Sequence, residues 1–277
     1  MPKKTKPKPA MMRFDIFSAE FVVKISAPSP LNLRLFKVNI GLNIENFNQV
    51  KKFFDSSQSH CDFMINCVGL LVKESADCPD RATWVNGWFP QYAATRLQDR
   101  DTRLVHLSTD CVFDGAEQGN YEEHHVPTES NMYGRSKAMG EVRNNKDITF
   151  RMSIIGPELK RHTGLLDWFV KNSESQLPGW TNAYWNGITT LELARCINVY
   201  MNAPNISGLY HLVNNSNRIS KHDLLWKINT AYKLGKTVKK VKAPKAVDKV
   251  LIDTRQEIDF GIPNYDRMLQ QLADFKI

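Results

Sequence analysis

Short apolar runs alternate with amphipathic stretches along most of the chain. Phe63-Met64-Ile65-Asn66-Cys67-Val68, Leu104-Val105-His106-Leu107-Ser108 and the stretch from Ile148 to Ile155, closed by Gly156-Pro157, read as buried strands. Between them, Phe47 to Phe54, Ala82 to Leu97 and Met132 to Val142 read as helices. This alternation predicts an α/β fold, a Rossmann-like doubly wound parallel sheet. After Gly156 the texture changes. Residues 157–187 are rich in Trp, Gly, Asn and Lys, as expected of loops that contact a ligand. Leu191 to Met201 then reads as a helix and Gly208 to Val213 as a strand. Ser220-Lys221-His222-Asp223 resembles a capping box opening a helix with Leu224, Leu225, Ile228, Ala231 and Tyr232 on its apolar face. The expected division is an atypical basic leader at 1–36, a core at 37–156 and a small C-terminal α/β substrate lobe at 157–277, interleaved with the core.

Composition narrows the function classes. A chain of 277 residues can bury one large core, or a core with a small lobe. No run of about 18 apolar residues occurs, so no membrane partner is expected. Met1 to Ala10 holds four lysines and three prolines and lacks the apolar centre of a secretory signal. It reads as a leader outside the folded unit, with an anion-binding tail as the alternative. The net charge is +8, and without those four lysines +4 remains. That excess suits phosphate-bearing ligands, and with no zinc-finger spacing or arginine-rich helix no nucleic acid is expected. The five cysteines form no Cys-x-x-Cys pair, as in reduced cytoplasmic proteins. The seven histidines show no metal spacing, so no metal is expected, and His124-His125 reads as a solvated loop.

The chemistry concentrates between Leu104 and Lys137. Ser108, Thr109 and Asp110 stand at the carboxyl end of a predicted strand, the edge at which open α/β sheets bind ligands. Tyr133 and Lys137 follow, four residues apart on one face of a predicted helix. Reducing a ketone requires hydride on carbon and a proton on oxygen. A tyrosine holds its proton at neutral pH, with an ordinary pKa of about 10, and a nearby ammonium eases its transfer. A hydroxyl from Thr109 or Ser108 can stabilise the charge growing on the carbonyl oxygen. A nicotinamide cofactor, NADPH or NADH, would supply the hydride.

The run Leu107-Ser108-Thr109-Asp110-Cys111-Val112-Phe113-Asp114-Gly115 through Tyr133-Gly134-Arg135-Ser136-Lys137-Ala138-Met139-Gly140-Glu141 resembles the dTDP-4-dehydrorhamnose reductase family. These are extended short-chain dehydrogenases that reduce 4-keto-deoxysugars attached to nucleotides, and they have relatives acting on UDP-sugars and a non-catalytic regulatory one. The resemblance covers roughly residues 37–277. It implies Thr109 as the carbonyl hydrogen-bond donor, Tyr133 as the acid and Lys137 as its partner. Around the cofactor it implies Asn43, Asn66, Cys67, Val68, Gly69, Asn86 and Ser108, with Tyr133 and Lys137. A strand-end packing role is the alternative for Asn66, and a packing role the alternative for Asn86. Against the substrate it implies Asp110, Cys111, Val112, Phe113, Arg151, Trp185 and Asn186. Arg151 in an apolar strand needs a partner, either a structural carboxylate or a substrate phosphate. Trp185 and Asn186 could equally anchor the lobe. Cys111 stands where the family commonly has a tyrosine. The implied partner is a dTDP- or UDP-linked sugar, and a homodimer is compatible with the fold.

The amino-terminal quarter departs from this pattern. Dinucleotide-binding folds open with a strand, a glycine-rich turn and a helix whose N-terminus holds the pyrophosphate. Residues 1–40 contain no glycine, and Phe21-Val22-Val23-Lys24-Ile25 is followed by Ser26-Ala27-Pro28-Ser29-Pro30. A complete β-α-β unit needs roughly 30 residues or more. The first such unit is therefore expected to be incomplete, and Asn43 stands where the family usually has an acid. Turnover is one expectation. A cofactor-free binding or regulatory protein of the same fold is the other.

Overall fold

The computed structural model describes residues 21–25, 37–40, 42–56, 61–116, 119–158, 162–202, 206–255 and 257–275. The basic Met1–Ala10 segment and the 26–30 turn lie outside them. The central sheet has six strands in the order β10-β5-β4-β3-β1-β2. These are β1 (Phe21–Ile25), β2 (Lys37–Ile40), β3 (Phe63–Asn66), β4 (Arg103–Thr109), β5 (Ile148–Met152) and β10 (Gly208–His211). From β3 to β10 every pairing is parallel. β1 departs from the expected parallel sheet, because it pairs antiparallel with both β3 and β2. An antiparallel pair requires no crossover helix, so β1 and β2 do not form a β-α-β unit.

Helices cover both faces. α1 (Phe47–Asp55) is capped by the Asn46 side chain, which accepts from the Gln49 amide. α2 (Val72–Asp77) leads into α3 (Pro79–Ala82), a π-helical turn (Thr83–Trp88) and α4 (Phe89–Leu97). Phe53 and Phe54 of α1 and Phe89, Ala93 and Leu97 of α4 bury one sheet face around Met64 and Leu104. Ile65, Val105, Leu107, Ile148 and Phe150 point the other way, because strand side chains alternate. They pack against the second half of the chain. It comprises β6 (Ile154–Ile155), α6 (Leu165–Lys171), β7 (Gln176–Trp180), β8 (Ala183–Trp185), β9 (Ile188–Thr189), α7 (Thr190–Met201), β11 (Ile219–Ser220), α8 (Lys221–Ala231), β12 (Thr237–Val241), β13 (Val247–Asp248) and α9 (Tyr265–Asp274). Residues 157–187, expected as loops, thus carry a helix and two strands. At the start of α8 the Ser220 hydroxyl accepts from the Asp223 amide, as its sequence predicts.

The segment that bears Tyr133 and Lys137 is α5 (Met132–Met139). The Asn131 side chain caps it, accepting from the Gly134 amide at 2.9 Å. It ends at Gly140, where a Cβ would lie 2.0 Å from the Asn86 carbonyl oxygen. A side chain there would push α5 off the π-helical turn. Just beyond, Glu141 meets Arg151 of β5, and both side chains are almost wholly buried. The guanidinium forks onto the carboxylate, Nε to Oε1 at 2.7 Å and Nη2 to Oε2 at 2.6 Å. Its Nη1 donates to His211 Nε2 at 2.9 Å, since His211 Nδ1 uses its hydrogen on the Ile252 carbonyl. Burial would raise the Glu141 carboxyl, but the hydrogen bonds and charge of Arg151 outweigh it and hold the carboxyl below the usual range.

Removing one partner of a buried ion pair leaves a charge unpaired and costs about 3–5 kcal/mol. Arg151→Met is therefore expected to lower the free energy of unfolding by about that amount in a urea titration followed by tryptophan fluorescence. A loss below about 1 kcal/mol, the size of a surface pair, would show that the fork does not hold the sheet to α5.

Candidate active site

The four parallel strands end at one edge, and a cavity of about 210 Å3 opens there. Its wall takes Cys67, Val68 and Gly69 from the loop after β3, and Ser108 and Thr109 from the end of β4. Cys111 comes from the 3-10 turn that follows, and Tyr133 and Lys137 from α5. These eight expected site residues therefore share one space. Leu70–Val72 and Met152–Ile154 complete the wall and were not anticipated. The end of β5 at the carboxyl edge was the signal for the second group.

Thr109 is turned by its own backbone. Its Oγ1 accepts from the Cys111 amide at 3.1 Å and donates to Asp110 Oδ1 at 3.2 Å. The same hydroxyl lies beside the Tyr133 phenol. Burial raises the Tyr133 pKa, the nearby Cys111 and Asp110 add to the rise, and the Thr109 hydroxyl opposes it. Tyr133 therefore carries its proton at neutral pH. Gly134 allows the close seat of α5, because a Cβ there would meet the Cys111 carbonyl oxygen at 2.4 Å.

Lys137 is 5% exposed, and its Nζ donates to the Leu107 carbonyl at 2.6 Å. Burial lowers its pKa to about 8, against the raising effect of Glu141 and Cys67. It remains mostly an ammonium at neutral pH. Its direct bond is to the strand, and it shares the cavity wall with Tyr133. Ser108 donates to Glu141 Oε1 at 2.8 Å, which leaves Thr109 as the hydroxyl beside Tyr133. The Cys67 thiol is pushed up to about 12 by burial, with Lys137 pulling the other way, and stays protonated.

Several expected site residues are used elsewhere. Asn43 is exposed and its Oδ1 accepts from the Glu45 amide, so it shapes the turn before α1. Asn66 spans Val68 N and His106 Nδ1, each at 3.1 Å, at the end of β3. Asn86 is fully buried; its side chain binds both backbone groups of Leu70 and the Ser136 hydroxyl. It ties the β3 loop to α5 from behind the cavity. Val112 and Phe113 are fully buried, with Phe113 stacked on Tyr121, so they offer a substrate no surface. Arg151 has the structural carboxylate rather than a substrate phosphate. Asn186 exchanges two hydrogen bonds with the Leu251 backbone and anchors the lobe. Trp185 is 4% exposed and stacks on Tyr265. Asp110 is buried beneath Thr109, outside the cavity wall.

A two-faced α/β sheet with a threonine, a tyrosine and a lysine gathered at its carboxyl edge is the arrangement that the resemblance to short-chain dehydrogenases implies. Residues 25–159 match the family model described as the RmlD substrate binding domain. The chain is 40% identical over 79 residues to dTDP-4-keto-6-deoxy-D-glucose reductase of Streptomyces niveus, covering 28% of this chain and 27% of that protein. It is 28% identical over 167 residues to dTDP-4-dehydrorhamnose reductase of Salmonella typhimurium, covering 55% and 54%. The matched segments thus span about half or less of these curated relatives. A crystal structure of dTDP-4-dehydrorhamnose reductase from Bacillus anthracis in complex with NADP superposes with a TM-score of 0.71 at 22% identity, covering 83% of this chain and 86% of that one. The resemblance to the dTDP-4-dehydrorhamnose reductase family therefore holds in motif, in family model and in fold.

The burial of Lys137 has a measurable consequence. Its folded pKa of about 8 lies below the ordinary 10.5. Between those values the unfolded chain binds the extra proton, so stability rises with pH, by at most about 1.4 kcal/mol per pH unit. Urea midpoints are expected to show this rise from about pH 8 to about pH 10 in the parent, and Lys137→Met is expected to remove it. Equal slopes in the two proteins would mean that the ammonium is solvated.

Proposed function

We propose that the protein reduces a nucleotide-linked 4-keto-6-deoxysugar with NAD(P)H in deoxysugar biosynthesis, as a cytoplasmic enzyme. The single observation that carries this reading is the meeting of Thr109, Tyr133 and Lys137 at one cavity on the carboxyl edge of the sheet. The nicotinamide end of the cofactor fits what is there. Lys137 offers a buried ammonium on the same cavity wall as Gly69. A bound reduced nicotinamide supplies the hydride. Thr109 holds the substrate carbonyl oxygen and stabilises its growing charge. Tyr133 gives that oxygen its proton. Lys137 steadies the phenolate left on Tyr133 and holds the ribose. Among the described residues no helix is long and apolar enough to cross a membrane. The dTDP-linked sugars named in the relatives favour a substrate of that class.

One observation favours a second reading. β1 runs antiparallel beside β3, so its carboxyl end lies at the edge opposite Thr109. A glycine-rich turn after that strand would face away from the cavity. The residues at hand thus fit the nicotinamide end better than the pyrophosphate end. A sugar-nucleotide-binding or regulatory protein without cofactor turnover follows from that mismatch.

Oxidation of NADPH and NADH with dTDP- and UDP-4-keto-6-deoxysugars separates the two. Turnover is expected, with Tyr133→Phe lowering kcat about 10²–10⁴-fold while NADPH binding persists. Thr109→Val is expected to lower kcat about 10²–10³-fold. The rate is expected to fall as pH rises past about 8, where Lys137 loses its charge. No saturable NADPH binding and no turnover would establish the second reading.

A further inference from the structure

Residues 224–247 hold seven lysines and no Asp, Glu or Arg, more charge than the +4 left to the chain without its four leader lysines. Two of the seven are occupied. Lys227 pairs with Asp266, and Lys236 donates to the Asn172 carbonyl. Lys233, Lys239, Lys240, Lys242 and Lys245 are exposed and, among the described residues, make no ion pair. The charges of Lys240 and Lys245 are felt at Asp223 and Asp114, without an ion pair to either.

Strand β12 organises this stretch by lying parallel to β7 in a two-stranded sheet. One face of that sheet rests on α8. Leu177 and Gly179 are buried there, and a Cβ on Gly179 would lie 2.7 Å from the His222 Cα. Strand side chains alternate, so Gln176, Pro178 and Trp180 of β7 fall on the other face with Thr237, Lys239 and Val241 of β12. All six are exposed. Trp180 and Val241 are partners in register, 48% and 40% exposed.

Lysines on an edge strand keep it from pairing with another chain. That accounts for Lys239 and Lys240, and it also opposes docking of a peptide as an added strand. It does not account for the tryptophan and valine beside them, or for Lys242 and Lys245 beyond the strand. Lysine without arginine gives point-charge attraction rather than the forked grip that reads single phosphates in a nucleic acid. An indole and a branched aliphatic side chain flanked by ammonium groups match the headgroup layer of an anionic bilayer. Tryptophan favours that layer, and lysines draw a protein towards its negative surface. Contact with a bilayer surface needs no spanning helix, so the lack of a long apolar run does not bear on it.

We infer that the open face of the β7–β12 sheet docks on an anionic phospholipid membrane surface, with Trp180 and Val241 entering the headgroup layer and Lys239 and the flanking Lys240, Lys242 and Lys245 attracting it. None of these residues lines the Tyr133 cavity, so the inference stands apart from the proposed reduction.

The test is co-sedimentation of the full chain with vesicles of equal parts phosphatidylglycerol and phosphatidylcholine, and with vesicles of phosphatidylcholine alone. Binding is expected to the first and not the second. It is expected to fall away between about 0.1 M and about 1 M salt, as the screening length drops from about 10 Å to about 3 Å. A lysine near such a surface contributes about fivefold in affinity, so Lys239→Gln combined with Lys242→Gln is expected to weaken binding about tenfold or more. Trp180→Ser is expected to weaken it about fivefold and to reduce the quenching of tryptophan fluorescence by lipids with brominated acyl chains. Lys52→Gln, an exposed lysine of α1, is expected to change neither. Undiminished binding by the double variant and by Trp180→Ser would place the contact on other lysines and overturn the inference. Failure of the parent to bind the anionic vesicles overturns it too. So does variant-sensitive binding to duplex DNA or polyglutamate by a chain that ignores the vesicles.

Discussion

The cavity depends on one buried ion pair, Arg151 with Glu141. Two charges withdrawn from water are tolerated only when nearly every donor and acceptor is used. Here they are. Three guanidinium nitrogens bind Glu141 and His211, and the guanidinium carbon lies 5.0 Å from the centroid of the Phe113 ring. Glu141 also accepts from Ser108 and from Arg143. One interaction thus joins β4, β5, β10, the turn after Thr109 and the residue just past α5. The height of Tyr133 and Lys137 over the strand ends follows from it. Gly134 and Gly140 then let α5 approach closely enough for the Tyr133 phenol to meet Thr109.

The same pair explains which parts of the site were legible in the sequence. The strands and helices that apolar spacing predicts between 47 and 231 keep their bounds to within a few residues in the folded chain, whereas the helix and two strands inside 157–187 have no such pattern. Tyr133 and Lys137 were readable because helical spacing alone puts them on one face. Val112 and Phe113, which the resemblance places against the substrate, are instead fully buried. A 3-10 turn (Asp110–Val112) rotates them inward, and no local pattern announces such a turn. The carboxylate that Arg151 requires was in plain view ten residues earlier, at the end of the motif that carries Tyr133. Spacing within one element reveals contacts; spacing across a helix-to-strand turn does not.

The first strand was legible as a strand and illegible in direction. Phe21–Ile25 is apolar except for Lys24, and such a short run has no feature that tells which way it enters a sheet. Direction is set by the connection that follows. A parallel entry needs a crossover of a dozen or more residues, usually through a helix. The prolines at 28 and 30 and the lack of glycine before residue 41 argued against the usual turn, and the antiparallel pairings agree with that argument.

The two ends of the site thus stand under different constraints. At the Tyr133 end, every polar group is positioned by a buried bond, and the chemistry follows from charge. A lysine held at a pKa of about 8 is costly to fold and useful only if something needs its proton kept close. Structural economy would replace it with an apolar side chain, since its single direct bond is to one carbonyl. The cost is tolerated beside a tyrosine whose own proton is held tightly by burial. In the proposed reduction that ammonium would ease the release of the proton from a phenol that resists ionisation. At the other end the first strand runs antiparallel to β3, so its carboxyl end lies at the opposite edge of the sheet. Among the described residues, the groups suited to the proposed proton transfer are therefore more complete than any suited to a pyrophosphate.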